Sequence, residues 1–160
     1  MSQRLSTAGM LLAYCIETTA GTKPTSGYTV VPEVKSMPSF NNAPNSIDVT
    51  PLSETDSMQY VAGLRDSGGM LEFGANLTED LITAWNSTLI DAYETAAASS
   101  KSCWFAVIHP KLTKAVFFKG EPVALGLNEA SVGAAAETTL YIAPQSSPAF
   151  DTKPTLADAT

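Results

Sequence analysis

Pro38 to Phe73 reads PSFNNAPNSIDVTPLSETDSMQYVAGLRDSGGMLEF, and the fold turns on how this stretch divides. Its first part, Pro38 to Ser57, contains Pro38, Pro44 and Pro51 and almost no hydrophobic period, which predicts a long loop. Compact domains rarely carry a structureless connection of that length unless it has a function. From Met58 onward the pattern alternates, and Met58, Tyr60, Ala62 and Leu64 fall on one face of an extended chain. Asp66-Ser67-Gly68-Gly69 offers the positive-φ positions of a hairpin turn. Met70 to Phe73 then returns as the next strand, with Leu71 and Phe73 on one face and Glu72 on the other. No catalytic pattern lies beside the loop. An ordered loop on a β scaffold with no chemistry near it points to a surface that binds copies of the chain or a partner.

Upstream, Gly9 to Glu17 reads as a buried strand and Thr18 to Gly27 as a polar loop. Tyr28 to Met37 is extended but interrupted by Pro32, which lacks a ladder donor and places the segment at an edge or a bulge. Downstream, a helix is predicted over about residues 77–98, with Asn76 as N-cap and Glu79 as its capping-box partner. Leu81, Trp85, Leu89 and Tyr93 recur every four residues, and Ile82 and Ala96 widen that stripe. Glu79 and Asp80 suit the positive end of the helix dipole.

Ser102 to His109 is apolar on both faces, which marks a central strand or one that meets another subunit. Lys114 to Lys119 pairs back on it, and Pro122 to Leu127 with Glu137 to Ala143 reads as a further hairpin. Gln145 to Thr160 is rich in Ser, Pro, Thr, Asp and Ala and is expected to be a flexible tail. The fold expected is mainly β with one helix, a β-sandwich or barrel over residues 1–144.

A chain of 160 residues suits one domain with a real core. The net charge of −7 argues against attraction to nucleic acid or an acidic membrane surface. The charge is uneven: from Ile47 to Ser100 nine acids stand against one base, Arg65, leaving −8, whereas Lys101 to Lys119 holds four lysines and no acid, giving +4. Such segments form either two solvated faces or two complementary patches that dock copy against copy.

Cys15 and Cys103 are too few and too far apart for a disulfide framework or a zinc site, so buried free thiols are expected. The single histidine, His109, has no nucleophile placed beside it by any motif, and Gly68-Gly69 does not open a phosphate-binding helix. Neither an enzyme, a cofactor nor a metal is expected. Ala8 to Ile16 is apolar but short and lacks a small-residue cleavage pattern, so secretion is not expected. The acceptor-like Asn76-Leu77-Thr78 and Asn86-Ser87-Thr88 are then coincidental. No apolar run is long enough to span a bilayer, so no membrane anchoring is expected.

Three pieces, in this order and spacing, carry a family resemblance. The first is Ile47-Asp48-Val49-Thr50 after a long loop and shortly before Tyr60-Val61-Ala62-Gly63-Leu64. The second is the acidic Gly-Gly turn into Met70-Leu71-Glu72-Phe73, followed directly by the helix. The third is Cys103-Trp104-Phe105 to Pro110 and then a strand ending Phe117-Phe118-Lys119-Gly120. Over most of residues 8 to 143 the chain resembles the major tail tube proteins of phages with long non-contractile tails.

The resemblance implies a β-sandwich subunit with a flanking helix, hexameric rings whose inner sheets join into one barrel, and rings stacked into a hollow tube. Viral DNA would pass through the lumen without specific binding. Further partners implied are the tail tip or initiator, tape measure and terminator proteins, and the implied location is the virion tail. Within this picture the candidate contacts between subunits and rings are Ser39, Phe40, Asn41, Asn42, Ile47, Asp48, Val49, Thr50, Leu52, Glu54 and Asp56. Asp66 and Glu72 are candidates for an acidic lumen. Two other readings stand beside it: a monomeric β-sandwich binding module, and a different phage ring protein such as a tail terminator. The aromatics fall on core positions rather than on an exposed platform, which disfavours the binding module.

Overall fold

The computed structural model describes residues 4–6, 8–41, 43–65 and 69–157. Eleven strands and one continuous helical segment occur among them. The strands are β1 (Leu11–Ile16), β2 (Ser26–Val30), β3 (Val34–Ser36), β4 (Pro44–Asp48), β5 (Tyr60–Arg65), β6 (Leu71–Asn76), β7 (Cys103–Ile108), β8 (Lys114–Pro122), β9 (Glu137–Pro144), β10 (Ala149–Thr152) and β11 (Thr155–Leu156). Helix α1 (Glu79–Ile82) runs into a π-helical stretch (Thr83–Ile90) and then α2 (Asp91–Ala97).

The mainly β class expected from the sequence is the class observed. Nine strands share one sheet in the order β11-β2-β1-β7-β8-β9-β6-β3, with β10 paired to part of β8. β2 and β3 are separated only by Val31, Pro32 and Glu33, yet β2 joins β1 and β3 joins β6 near opposite ends of the order. The sheet therefore curls into a half-barrel whose ends approach at this bend. The bend is built by Pro32, which cannot continue a ladder, and by Glu33 at φ 65°, whose carbonyl accepts from Asn76 N at 3.0 Å.

The helix closes the concave side. Leu81, Trp85 and Leu89 are buried against Leu71, Phe73, Phe105, Phe118, Leu140 and Ile142. An α-helix turns about 100° per residue, so a stripe repeating every four residues drifts by roughly 40° at each step. The i→i+5 bonding of the π-helical stretch widens the turn and keeps Leu81, Trp85 and Leu89 on one face. Trp85 Nε1 donates to Val123 O at 2.7 Å, and Asn86 Oδ1 accepts from Leu125 N at 2.8 Å, so the helix also fastens the connection into β9. A smaller cluster, Ala13, Tyr28, Ala106, Ile108, Ala115 and Phe117, lies on the other face of the central strands. β7 is thus central and buried on both sides, as its double apolar pattern predicts.

Several local expectations are corrected. The stretch Pro38–Ser57 is not one long loop, because it contains β4. β5 pairs with β4 rather than with the strand after Gly69, and β6 pairs with β9 and β3. Asp66, Ser67 and Gly68, three of the four residues of the expected turn, lie outside the described residues. The helix N-cap is Thr78, whose Oγ1 accepts from Leu81 N at 3.2 Å, while Asn76 ends β6. Beyond Pro122 the chain leaves the ladder, though Val123 N and Asn128 N still donate to Tyr141 O and Glu137 O. Gln145–Thr160, expected to be a flexible tail, carries β10 against β8 and β11 parallel to β2.

Candidate self-assembly interface

β4 and β5 form a two-stranded sheet of their own, with no ladder to the nine-stranded sheet among the described residues. Their register sets Ile47 opposite Val61 and Asp48 opposite Tyr60. Val49 N continues the pairing to Gln59 O at 3.0 Å, so the arm spans about seven residues and roughly 23 Å at the usual strand rise. Near its base the ladder slips between Pro44 and Ser46. Gly63 fits that slip, since a Cβ there would come within 3.0 Å of Asn45 O.

Every residue of β4 is exposed. The arm and its flanks also expose Val49, Leu52, Met58, Tyr60, Val61, Leu64 and Met70, with Leu52 at 106% and Leu64 at 87%. Alternation and register put Ile47, Val49 and Val61 on one face and Tyr60 on the other. A two-stranded ribbon is marginally stable alone, and an apolar surface on both of its faces is the mark of an interaction site.

Two acids shape the tip. Asp48 Oδ1 accepts from Thr50 N at 2.9 Å, and Thr50 Oγ1 accepts from Gln59 N at 2.7 Å. Glu54 accepts from Asp56 N at 3.0 Å, Thr55 N at 3.1 Å and Gln59 Nε2 at 3.1 Å. These bonds hold both carboxyls below their usual pKa: for Asp48 the Thr50 backbone is the main cause, and for Glu54 the Asp56 backbone. The tip is therefore a shaped, acidic end rather than a slack connection.

The base is fixed to the core. Phe40 stands 5.9 Å from Phe73 and 5.5 Å from Phe118; Phe118 stacks on Phe105 at 5.5 Å, and Phe105 lies 6.3 Å from Trp85. This aromatic column runs from the foot of the arm to the helix. Among the candidate contact residues, Ile47, Asp48, Val49, Thr50, Leu52, Glu54 and Asp56 come together on the arm. Ser39 and Asn41 are exposed at its foot, joined by the 3.2 Å bond from Asn41 N to Ser39 Oγ, while Phe40 is turned into the core as an anchor. Asn42 and Asp66 lie outside the described residues. Glu72 is exposed on β6 opposite Tyr141, on the face turned away from the helix.

Sequence reasoning missed the contribution of β5. Val61 and Leu64 were readable as strand residues, but their exposure depends on β5 leaving the main sheet. It also missed Glu17, which is 3% exposed and accepts from Ser102 N at 2.7 Å, Trp104 Nε1 at 3.0 Å and Gly21 N at 3.2 Å. Desolvation, the largest single influence, pushes its pKa up, but these bonds and the Lys119 charge together bring it below the ordinary value.

His109 has both ring nitrogens engaged by backbone: Nε2 lies 2.6 Å from Ser6 O, and Nδ1 accepts from Lys111 N at 3.1 Å. Cys15 and Cys103 are free, and burial raises both thiol pKa values. Among the described residues no group of His, Cys, Asp or Glu is placed to hold a metal ion, and no helix is long and apolar enough to cross a membrane. No protein-family model matches the chain, and no curated protein matches it.

Proposed function

We propose that this chain is a structural subunit that assembles with copies of itself into stacked, hexameric rings, forming the hollow tube of a long non-contractile phage tail. The observation that carries the reading is the β4–β5 arm, anchored at its foot by Phe40 and uncovered along both faces. A monomer gains nothing from an exposed apolar ribbon, whereas a polymer buries it at every contact. The order of elements quoted from the sequence supports the tube type. The sheet face away from the helix supports a conduit: it carries Glu72, Tyr141, Thr139 and the Lys35–Glu137 ion pair at 2.7 Å, all exposed or half-buried. A polar, acidic wall repels phosphates and lets DNA slide, because each phosphate contact would otherwise add affinity. The subunit needs no catalytic residue or cofactor for this role.

The test is removal of the arm. Pro44 and Arg65 are register partners, so a short Gly-Ser turn can replace Asn45–Leu64 without moving the strand bases. The variant should remain a folded monomer and form neither rings nor tubes. Tubes of ordinary dimensions from it would refute the assignment.

A further inference from the structure

The arm is acidic as well as apolar. Between Ala43 and Leu64 the chain carries Asp48, Glu54 and Asp56 and no base. The opposite character is found at the turn between β7 and β8 and just past the end of β10. Lys111 and Lys114 are exposed there. Lys153 is held beside them, its N–H donating to Thr113 O at 3.0 Å and its Nζ to His109 O at 3.2 Å. The nearby acid, Asp151, is paired with Lys23, which leaves the lysines in excess. Phe150 is 68% exposed and, through its register with Val116, shares a face with Lys114. β10 pairs with β8 on one side, and its other edge has no partner strand among the described residues.

An open edge bearing an exposed aromatic is a feature that proteins cover. The arm of the same molecule does not cover it, since Leu52 at the tip is fully exposed. We propose that the arm tip of one copy docks on the β10 edge of a second copy, with Leu52 against Phe150 and the tip acids facing Lys111, Lys114 and Lys153. This rests on the self-assembly reading above. Opposite charges steer the encounter and fix its register. The tip and the β10 edge are different surfaces of one chain, so the contact is head-to-tail. It propagates into rings or filaments and does not stop at a two-fold dimer.

The experiment mixes two variants, Leu52→Cys and Phe150→Cys, under assembly conditions with oxidised glutathione, and reads disulfides by mass spectrometry. A bond joining the two introduced thiols across chains is the expected result. In parallel, Asp56→Lys and Lys114→Glu should each slow assembly at low salt by roughly tenfold, and the two reversals combined in one chain should bring the rate back toward the parent value. Thermal unfolding of each variant shows that the fold is kept. Particles that form without the cross-link, and reversals that fail to rescue one another, would overturn this docking site and leave self-assembly standing. Absence of particles under all conditions, including seeding, would overturn both.

Discussion

Replacing Leu52 and Leu64 by serine separates folding from assembly. In the free subunit their exposures are 106% and 87%, so neither contributes to the core. Surface substitutions of this kind change stability by about 0.5 kcal/mol or less each. If both leucines are covered in the assembled particle, each contributes about 1.5–3 kcal/mol of burial, together about 3–6 kcal/mol per contact. At about 1.4 kcal/mol per factor of ten, the contact weakens by roughly 10²- to 10⁴-fold. The assay is sedimentation velocity over a concentration series, with thermal unfolding of the same samples. We expect a melting temperature within a few degrees of the parent and a critical concentration for assembly raised at least a hundredfold. An unchanged critical concentration would refute the claim that the arm is buried between copies. A collapsed melting temperature would refute the claim that it stands outside the fold.

Further outcomes follow from the core. Glu17→Ala strands the half-buried N–H groups of Ser102 and Trp104, at about 1–3 kcal/mol per donor, while that of the exposed Gly21 can turn to water, so a loss of at least about 2 kcal/mol is expected in urea unfolding. Because the folded pKa of Glu17 is lowered, this stabilisation is complete above the ordinary carboxylate range and fades as pH falls through the folded value. The gap between parent and variant should therefore shrink in acid, and a gap independent of pH would contradict the assignment. Trp85→Ala removes a fully buried ring and its bond to Val123 O, and should cost about 3–5 kcal/mol by the same unfolding assay. Truncation after Ser147 removes β10 and β11 and uncovers the β8 edge, so amide exchange at Ala115 and Phe117 should accelerate if those strands are part of the fold. Cys103 should resist a thiol reagent in the native state and react on unfolding, because burial both covers it and raises its pKa; rapid native labelling would contradict this.

The parts of the fold legible in the sequence are those where a local pattern and a tertiary need coincide. The four-residue stripe through Leu81, Trp85 and Leu89 names the helix face, and the double apolar pattern of Cys103 to Ile108 names the central strand. Strand partners are a different matter. Tyr60 to Arg65 alternates whether it pairs with β4 or with β6, and the glycines after Arg65 suggested the nearer partner. The short β4 hid behind Pro44, whose residue type argues against a strand but is tolerated at the edge of a two-stranded ribbon. β10 and β11 were missed because their polar composition resembles a tail, and their order comes from pairing with edges left by β8 and β2. Ile47 to Asp56 was readable as a surface stretch because it lacks a core-facing period, and the arm it belongs to stands outside the main sheet. The packing of Phe40 on the core was not readable, since one aromatic in a polar loop does not reveal which way it turns.

The most direct test of the self-assembly account is negative-stain electron microscopy of the concentrated, purified chain, alone and seeded with a tail-initiating complex. The account predicts hollow tubes or stacked rings with six-fold end views. A uniform field of monomers that persists after seeding would contradict it.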